Sequence, residues 1–399
     1  MEMSVIVAFV VCAGFLAIGD VVSNMTKAFV PSVFVAAALF LLGFWTFVPE
    51  NVDVIAGLGM PVALMSIYLL LVHVGTLFSV RELVSEWRTV ATALAGIAGM
   101  VLLLLTIGRF LVGWETVVTG TPPLTGGIVA ALIMNQAATE AGLTSLAVLA
   151  IVLYVMQGFA GYPLTALALK KEGLRLRAIY RENGKEVERL IADRPPRGED
   201  APRGRFQFIP PTPEKYQTIF VSLAKTGMVA WASVEFSKLT GGAVNQFVVC
   251  LIFGVVAAET GFLERKPLVK NQAFGYLILS LMVYVMVQLS KCTPAMLGEI
   301  AGPLAIIIVV GVAGMAAASM TVGKFLGYSR SMAFALSLTA LYGFPPNYIL
   351  TDEASKALAD SPEEYDFLMD QMLPKMLIGG FTSVTIVSVI IAGFFAKLL

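Results

Sequence analysis

Residues 96–111 read GIAGMVLLLLTIGRFL and residues 311–326 read GVAGMAAASMTVGKFL, identical at eight of sixteen positions at a constant offset of 215. Three further pairs keep their physical type: Ile97 with Val312, Ile107 with Val322, and Arg109 with Lys324. Self-similarity at a fixed separation is the signature of a duplicated structural unit. The chain is therefore read as two copies of one fold.

Composition says where such a duplication lives. The 399 residues are 58% hydrophobic and 14% charged, with a mean hydropathy of +0.84, far from the roughly 25% charge of soluble domains. An all-α polytopic membrane protein follows. Crossing a bilayer of about 30 Å takes roughly 20 helical residues, and apolar stretches of about that order fall at 3–18, 30–48, 55–78, 89–112 and 151–169. A second series falls at 217–236, 243–258, 271–290, 300–320 and 376–398. Each half also holds one shorter, interrupted segment, at about 126–145 and 332–350, before its fifth span. The first span lacks the basic flank and small-residue cleavage site of a signal peptide, so it is expected to stay in the mature chain. Cys12, Cys250 and Cys292 show no metal-ligand spacing, and three cysteines do not make a disulfide framework.

The expected organisation is a first repeat at 1–169, a basic and Pro-rich linker at 170–216, and a second repeat at 217–399. The linker region holds twelve Lys or Arg and eight Asp or Glu; it is read as a solvated loop, with anionic-lipid contact or regulation as the alternative. Cytoplasmic loops carry an excess of Lys and Arg. With the linker inside and the interrupted segments not crossing, 22 of the 27 basic residues lie inside, and both termini lie outside. Lys238, Lys291, Lys397 and Arg109 then fall outside. Full crossing by the interrupted segments puts seven basic residues outside, so the first arrangement is preferred. Five crossings per half turn the second copy upside down, and the fold expected is an inverted repeat of two five-helix halves, each with a re-entrant hairpin.

Inverted repeats with helices broken at matching positions mark transporters whose site lies at mid-membrane. Within the broken segments a second correspondence occurs. Asn135-Gln-Ala-Ala-Thr139-Glu140 and Asn347-Tyr-Ile-Leu-Thr351-Asp352 both read Asn-x-x-x-Thr-acid, at an offset of 212. Backbone groups freed at a helix break are satisfied inside protein or in a watery cavity, never against lipid. Asn and Thr oxygens, freed carbonyls and a carboxylate make the hard-oxygen shell that sodium requires, while half-helix N-termini favour an anionic solute. The candidate substrate and ion site is Asn135, Gln136, Thr139, Glu140, Asn347, Thr351 and Asp352, with sodium at Asn135, Thr139, Glu140, Asn347, Thr351 and Asp352. For Glu140, Asp352 and the neighbouring Glu353, a structural hydrogen bond within the break is the competing reading.

Other residues carry less. His73, the single histidine, is a packed helix residue or a proton relay. Lys225, eight residues into its span, snorkels or pairs rather than touching substrate. Arg109 and Lys324 are interface anchors, and Gly96, Gly99, Gly311 and Gly314 form small-residue faces for close helix contact. An intramembrane enzyme needs metal ligands or a nucleophile–base pair at one depth, which one histidine does not supply. The chain is expected not to be an enzyme and to need no cofactor beyond a coupling ion.

This layout, with 61–78 as an apolar third helix, 126–145 in the place of a Gly-rich first hairpin and 334–350 in that of a second, resembles the glutamate:sodium symporter (ESS) family along nearly the whole chain. The first hairpin, MNQAATEAG at 134–142, departs from the family in lacking closely spaced glycines and a histidine. The resemblance implies a sodium-coupled symporter of a small organic anion or amino acid in the plasma membrane of a prokaryote. It further implies a homodimer in which a core carrying both hairpins slides against a scaffold. A proton-coupled exporter or a uniporter on the same scaffold is the alternative. Partners are expected to be the solute, sodium and lipid, with no nucleic acid.

Overall fold

The computed structural model describes residues 3–77, 86–182, 208–210, 213, 218–241, 246–383 and 387–399. Among these residues the regular elements are helical, with no strand. The first half runs α1 (Val5–Met25), α2 (Ser32–Phe44), α3 (Val52–Ile55), α4 (Met60–Gly75) and α5 (Trp87–Leu103). It continues through a π turn (Leu104–Gly108) into α6 (Arg109–Val112), then α7 (Trp114–Gly120), a 3₁₀ turn (Pro123–Thr125), α8 (Ile128–Glu140), α9 (Thr144–Met156) and α10 (Gly158–Glu182). The second half runs α11 (Ile219–Leu239), α12 (Gln246–Glu259), α13 (Pro267–Lys270), α14 (Phe274–Val287) and α15 (Pro294–Phe325). After these come α16 (Arg330–Leu338), a 3₁₀ turn (Thr339–Leu341), α17 (Pro346–Leu358), α18 (Pro362–Thr382) and α19 (Ser388–Phe395).

Element lengths follow the repeat. α1 and α11 each have 21 residues, α3 and α13 each have four, and α8 and α17 each have 13. Among the described residues, six helical stretches are long and apolar enough to cross a membrane. Their outer faces carry large apolar side chains such as Ile6, Phe110, Phe220, Trp231 and Phe325, all more than half exposed. Water does not tolerate apolar surface on that scale, and lipid does. The chain is an integral membrane protein.

Three structural features bear on the boundaries read from the sequence. The helix that carries the fifth apolar stretch runs on past 169, as α10 continues to Glu182. The start of the expected loop is instead helix, held by a buried Glu172 that pairs with Arg175 at 2.6 Å and by Arg177 donating to Leu358 O at 3.0 Å. Charged side chains there hid a helix whose other face is buried. Most of the remaining linker, 183–207, 211–212 and 214–216, lies outside the described residues. Likewise, a helix, α18, already begins at Pro362, ahead of the apolar stretch read at 376–398. Ser361 caps that helix by accepting from Glu364 N at 3.2 Å, and Glu364 accepts in turn from Asp360 N at 2.7 Å. Finally, the compact units are not the two sequence halves: each draws on both.

One unit comprises Met1–Phe9, Asp53–Ser85 and Ile179–Val285. In it α4 and α12 cross at two glycines: a Cβ on Gly75 would lie 2.3 Å from Leu251 O, and one on Gly254 would lie 2.3 Å from Val72 O. His73, buried on α4, accepts from Leu268 N at its Nδ1 at 3.2 Å and packs on Phe274. Nδ1 thus accepts, which in a neutral imidazole leaves the ring proton on Nε2, and the contact ties α4 to the start of α13. Lys225 Nζ lies 5.2 Å over the Phe262 ring, a cation–π contact.

The other unit comprises Val10–Val52, Glu86–Ala178 and Met286–Leu399. Its spine is the pairing of α5 with α15, the two helices that carry the sequence repeat. They meet at equivalent glycines. A Cβ on Gly99 would lie 2.5 Å from Gly314 O, and one on Gly314 would lie 2.4 Å from Gly99 O. The next contacts also mirror one another: Gly96 abuts Ser337, Gly311 abuts Leu124, Gly108 abuts Val117, and Gly323 abuts Ala333.

Candidate functional site at two broken helices

Both broken helices belong to the unit built on α5 and α15, and their construction follows from the sequence. In the first, α7 stops at Gly120. Pro122 and Pro123 remove two amide donors, and Gly126 at φ +95° reverses the chain before α8 starts. In the second, α16 stops at Leu338, Gly343 at φ +67° turns the chain, and Pro345 and Pro346 open α17. The two 3₁₀ tips, Pro123–Thr125 and Thr339–Leu341, pack against each other, and the first also packs on α9. Residues 121–127 are all buried, so these breaks lie inside protein, as freed backbone groups in a membrane require.

The tips present hydroxyl oxygens of one kind. Thr121 Oγ1 donates to Val117 O at 2.7 Å, Thr125 Oγ1 to Pro122 O at 2.6 Å, and Thr339 Oγ1 to Leu336 O at 2.6 Å. Thr351, in the second turn of α17, donates to Asn347 O at 2.6 Å. Each hydroxyl has a single proton. Committed to a helix carbonyl, it leaves only lone pairs facing outward, which is the chemistry of a hard-cation ligand and not of an anion donor. α8 has no side-chain N-cap, so its first amides are left to hold negative charge, whereas those of α17 are taken: Asn347 N by Gly343 O, Tyr348 N by Asn347 Oδ1 and Ile349 N by Pro345 O.

The seven sequence candidates separate. Asn347 is fully buried at the start of α17, where Nδ2 donates to Met376 O at 3.2 Å and Oδ1 accepts from Tyr348 N at 2.8 Å. Thr351 lies one turn on and is also buried. Asp352 turns away, pairing with Lys356 at 2.7 Å and accepting from Tyr365 Oη at 2.6 Å. Its neighbour Glu353 accepts from Ser23 Oγ at 2.9 Å and from Ser32 N at 3.2 Å, tying α17 to the α1–α2 corner.

The first-half candidates do not join Asn347 and Thr351. Asn135 sits mid-way along α8 and donates to Ala147 O at 2.8 Å. Gln136, Thr139 and Glu140 are exposed near the far end of α8; Gln136 Nε2 donates to Glu140 at 2.9 Å, and Thr139 Oγ1 to Asn135 O at 2.7 Å. Asn135 is the eighth residue of its helix and Asn347 the second of its own. The shared Asn-x-x-x-Thr-acid spelling therefore falls at different places along two helices, and the hydrogen bonds described for the candidates run to other groups than one another's across the two segments. One break precedes α8, at 121–127, and another lies inside the expected 126–145 segment, where Gly142 at φ +77° separates α8 from α9.

Sequence reasoning passed over Thr121, Thr125, Thr339, Tyr342, Thr165 and Gln157. The available signal was the Pro-Pro and Gly pairing at 122–127 and again at 343–346. Tyr342, beside the second tip, donates from Oη to Thr165 Oγ1 at 2.8 Å, and its ring packs on Tyr162 at 5.4 Å. Gln157 joins α9 to α10; it is 1% exposed, and neither amide atom meets a hydrogen-bond partner among the described residues. Such unmet groups each cost about 1–3 kcal/mol. Among the described residues, no cluster of three or more His, Cys, Asp or Glu is placed to hold a metal. A scan of protein-family models gives no match, and neither does a search of curated proteins.

Proposed function

We propose that this chain is a secondary active transporter built as an inverted repeat, a sodium-coupled symporter of a small organic anion or amino acid working by alternating access. The reading rests above all on one observation: two helices broken by Pro and Gly, at matching places in a repeated element order, meet tip to tip. The reciprocal glycine contacts between α5 and α15 support it, since residue i touching j while the equivalent of j touches the equivalent of i is what a pseudo-twofold axis produces. Such an axis in the membrane plane lets the two halves exchange roles, opening the tips to either side in turn.

The proposed sodium ligands are drawn from the threonines whose hydroxyl protons are already committed, Thr121, Thr125, Thr339 and Thr351, together with carbonyls of the breaks. Negative charge on the solute meets the amides that open α8, which no side chain caps. Asn347 positions the α17 break by bonding Met376 O. The resemblance to the ESS symporters leads to the same class, and with it a homodimer in a prokaryotic plasma membrane, a cytoplasmic linker and outward termini.

One sodium ion entering down about 100 mV supplies about 2.3 kcal/mol, and a tenfold gradient adds about 1.4 kcal/mol. Together they sustain several hundredfold accumulation of a neutral solute. The test is uptake of amino acids and carboxylates into proteoliposomes under an inward sodium gradient, with a proton gradient as comparison. Sodium-dependent uptake lost in Asn347→Ala is the expected result. Uptake driven equally by protons without sodium removes the sodium assignment, and non-saturable flux without counterflow replaces the carrier with a channel.

A further inference from the structure

Gln157, Gly161 and Thr165 are spaced by four residues where α9 passes into α10, so they form one face of the helix. The structure shows what that face meets. A Cβ on Gly161 would lie 2.8 Å from the Tyr342 ring and 3.0 Å from Leu341 Cβ, and Thr165 Oγ1 receives the Tyr342 hydroxyl at 2.8 Å. Two of the three positions thus press on the second hairpin tip. The third, Gln157, heads the same face at the end of α9, the helix on which the first tip packs. There a carboxamide with two N–H donors and one carbonyl acceptor is shut from solvent, without a partner among the described residues. The segments 116–127, 141–169 and 331–351 contain no charged residue. Whatever satisfies this amide is not a side-chain ion from the tips or from the helix beside them.

Building on the transporter reading, we propose that Gln157 is a solute-contacting and specificity-determining residue of the tip junction. Its carboxamide donates to an acceptor on the transported solute and accepts from a donor beside it. The solute it selects is a small polar one presenting acceptor and donor side by side, and not a hydrocarbon or a bare inorganic cation. Gly161 keeps the helix close enough to Tyr342 for the amide to reach the junction, and Thr165 fixes the Tyr342 ring that closes it.

Two arms test this on the full chain. In the first, Gln157→Cys in a background with Cys12, Cys250 and Cys292 changed to Ala is exposed in proteoliposomes to a charged, water-borne thiol reagent. Modification is expected, because a solute-contacting position must be reached from water. Absence of modification, under conditions where the detergent-denatured protein reacts fully, overturns the proposal.

In the second arm, wild type and Gln157→Leu are compared by thermal unfolding without solute and with L-glutamine, L-glutamate, succinate or acetamide, each in sodium and in choline chloride. Gln157→Leu is expected to unfold at a higher temperature without solute, since it removes unmet polar atoms, and to lose at least tenfold in apparent affinity for any compound that stabilises the wild type. A lower unfolding temperature without solute, or retained wild-type affinity, overturns the assignment. Where none of the four compounds shifts the wild type, the cysteine arm decides. Modification of Gln157→Cys in a protein without gradient-driven uptake sinks the transporter reading alone, leaving a solvated site.

Discussion

Replacing Gly314 with Ala tests the α5–α15 crossing directly. A Cβ there would stand 2.4 Å from Gly99 O, 2.9 Å from Gly99 C and 2.9 Å from Met100 Cα, all backbone atoms that no rotamer change moves away. Ordinary contact begins at 3.4 Å, so the helices must part by about 1 Å along their closest approach. Overpacking of this kind costs about 1–3 kcal/mol, and three backbone contacts put it at the upper end. The helix preference for Ala over Gly returns about 1 kcal/mol, for a net loss of about 2 kcal/mol. Gly227, inside α11 with nothing within 4 Å of its Cβ position, is the control: Gly227→Ala is expected to stabilise by up to about 1 kcal/mol. Gly99→Ala should match Gly314→Ala, because it meets Gly314 O at 2.5 Å and Ala318 Cβ at 2.3 Å. The double variant should cost less than the sum by about 1 kcal/mol, since one parting admits both methyl groups. The assay is thermal unfolding of detergent-purified protein. If Gly314→Ala stabilises as Gly227→Ala does, the helices do not meet at these glycines, and the pseudo-twofold argument fails with them.

Thr339→Val keeps the shape but removes the oxygen, and should raise the sodium concentration for half-maximal uptake at least tenfold, while Thr339→Ser stays near wild type; equal sodium dependence in both would remove Thr339 from the ion site. Glu353→Gln weakens the acceptor for Ser23 Oγ and Ser32 N and is expected to cost about 1–2 kcal/mol in thermal unfolding, with Glu353→Ala costing more. Glu140→Gln changes an exposed group that accepts from Gln136 Nε2; sodium-driven uptake should be retained, and its loss would return Glu140 to the ion path. Cysteine labelling in intact cells should find residues near the amino terminus open to an impermeant reagent from outside, and residues 183–207 open only after permeabilisation; reactivity from one side for both would end the inverted arrangement.

The helices were legible because lipid imposes a length and a composition, and the duplication was legible because close helix contact imposes glycine. Gly99 and Gly314 must lack a Cβ for α5 and α15 to touch, and that steric demand holds whatever surrounds it, so it leaves the same letters in both halves. Charge misled at α10, where Glu172 and Arg175 look like loop residues but pair along a helix. The site was harder for a different reason. A threonine that gives its proton to a carbonyl three or four residues back is at home inside any apolar helix, as Thr226 and Ser280 are. Nothing in the letters distinguishes them from Thr125 or Thr339.

What separates those two groups is the backbone around them. Thr226 and Ser280 lie in unbroken helix whose carbonyls are already taken, so their outward lone pairs stand alone. Thr125 and Thr339 lie at 3₁₀ tips where Pro and Gly have released carbonyls and amides, and where a second tip supplies more. A cation needs several oxygens converging on one point, which a single break supplies only in part. The acidic residues drew attention because charge in a membrane is costly, yet Asp352 and Glu353 are bonded to Tyr365, Lys356, Ser23 and Ser32 and so hold α17 in place. Neutral ligands at the tips suit a carrier better than carboxylates would. An ion that must be bound from one side and released to the other is served by oxygens holding it by dipole, which do not leave a bare negative charge in the membrane when it departs.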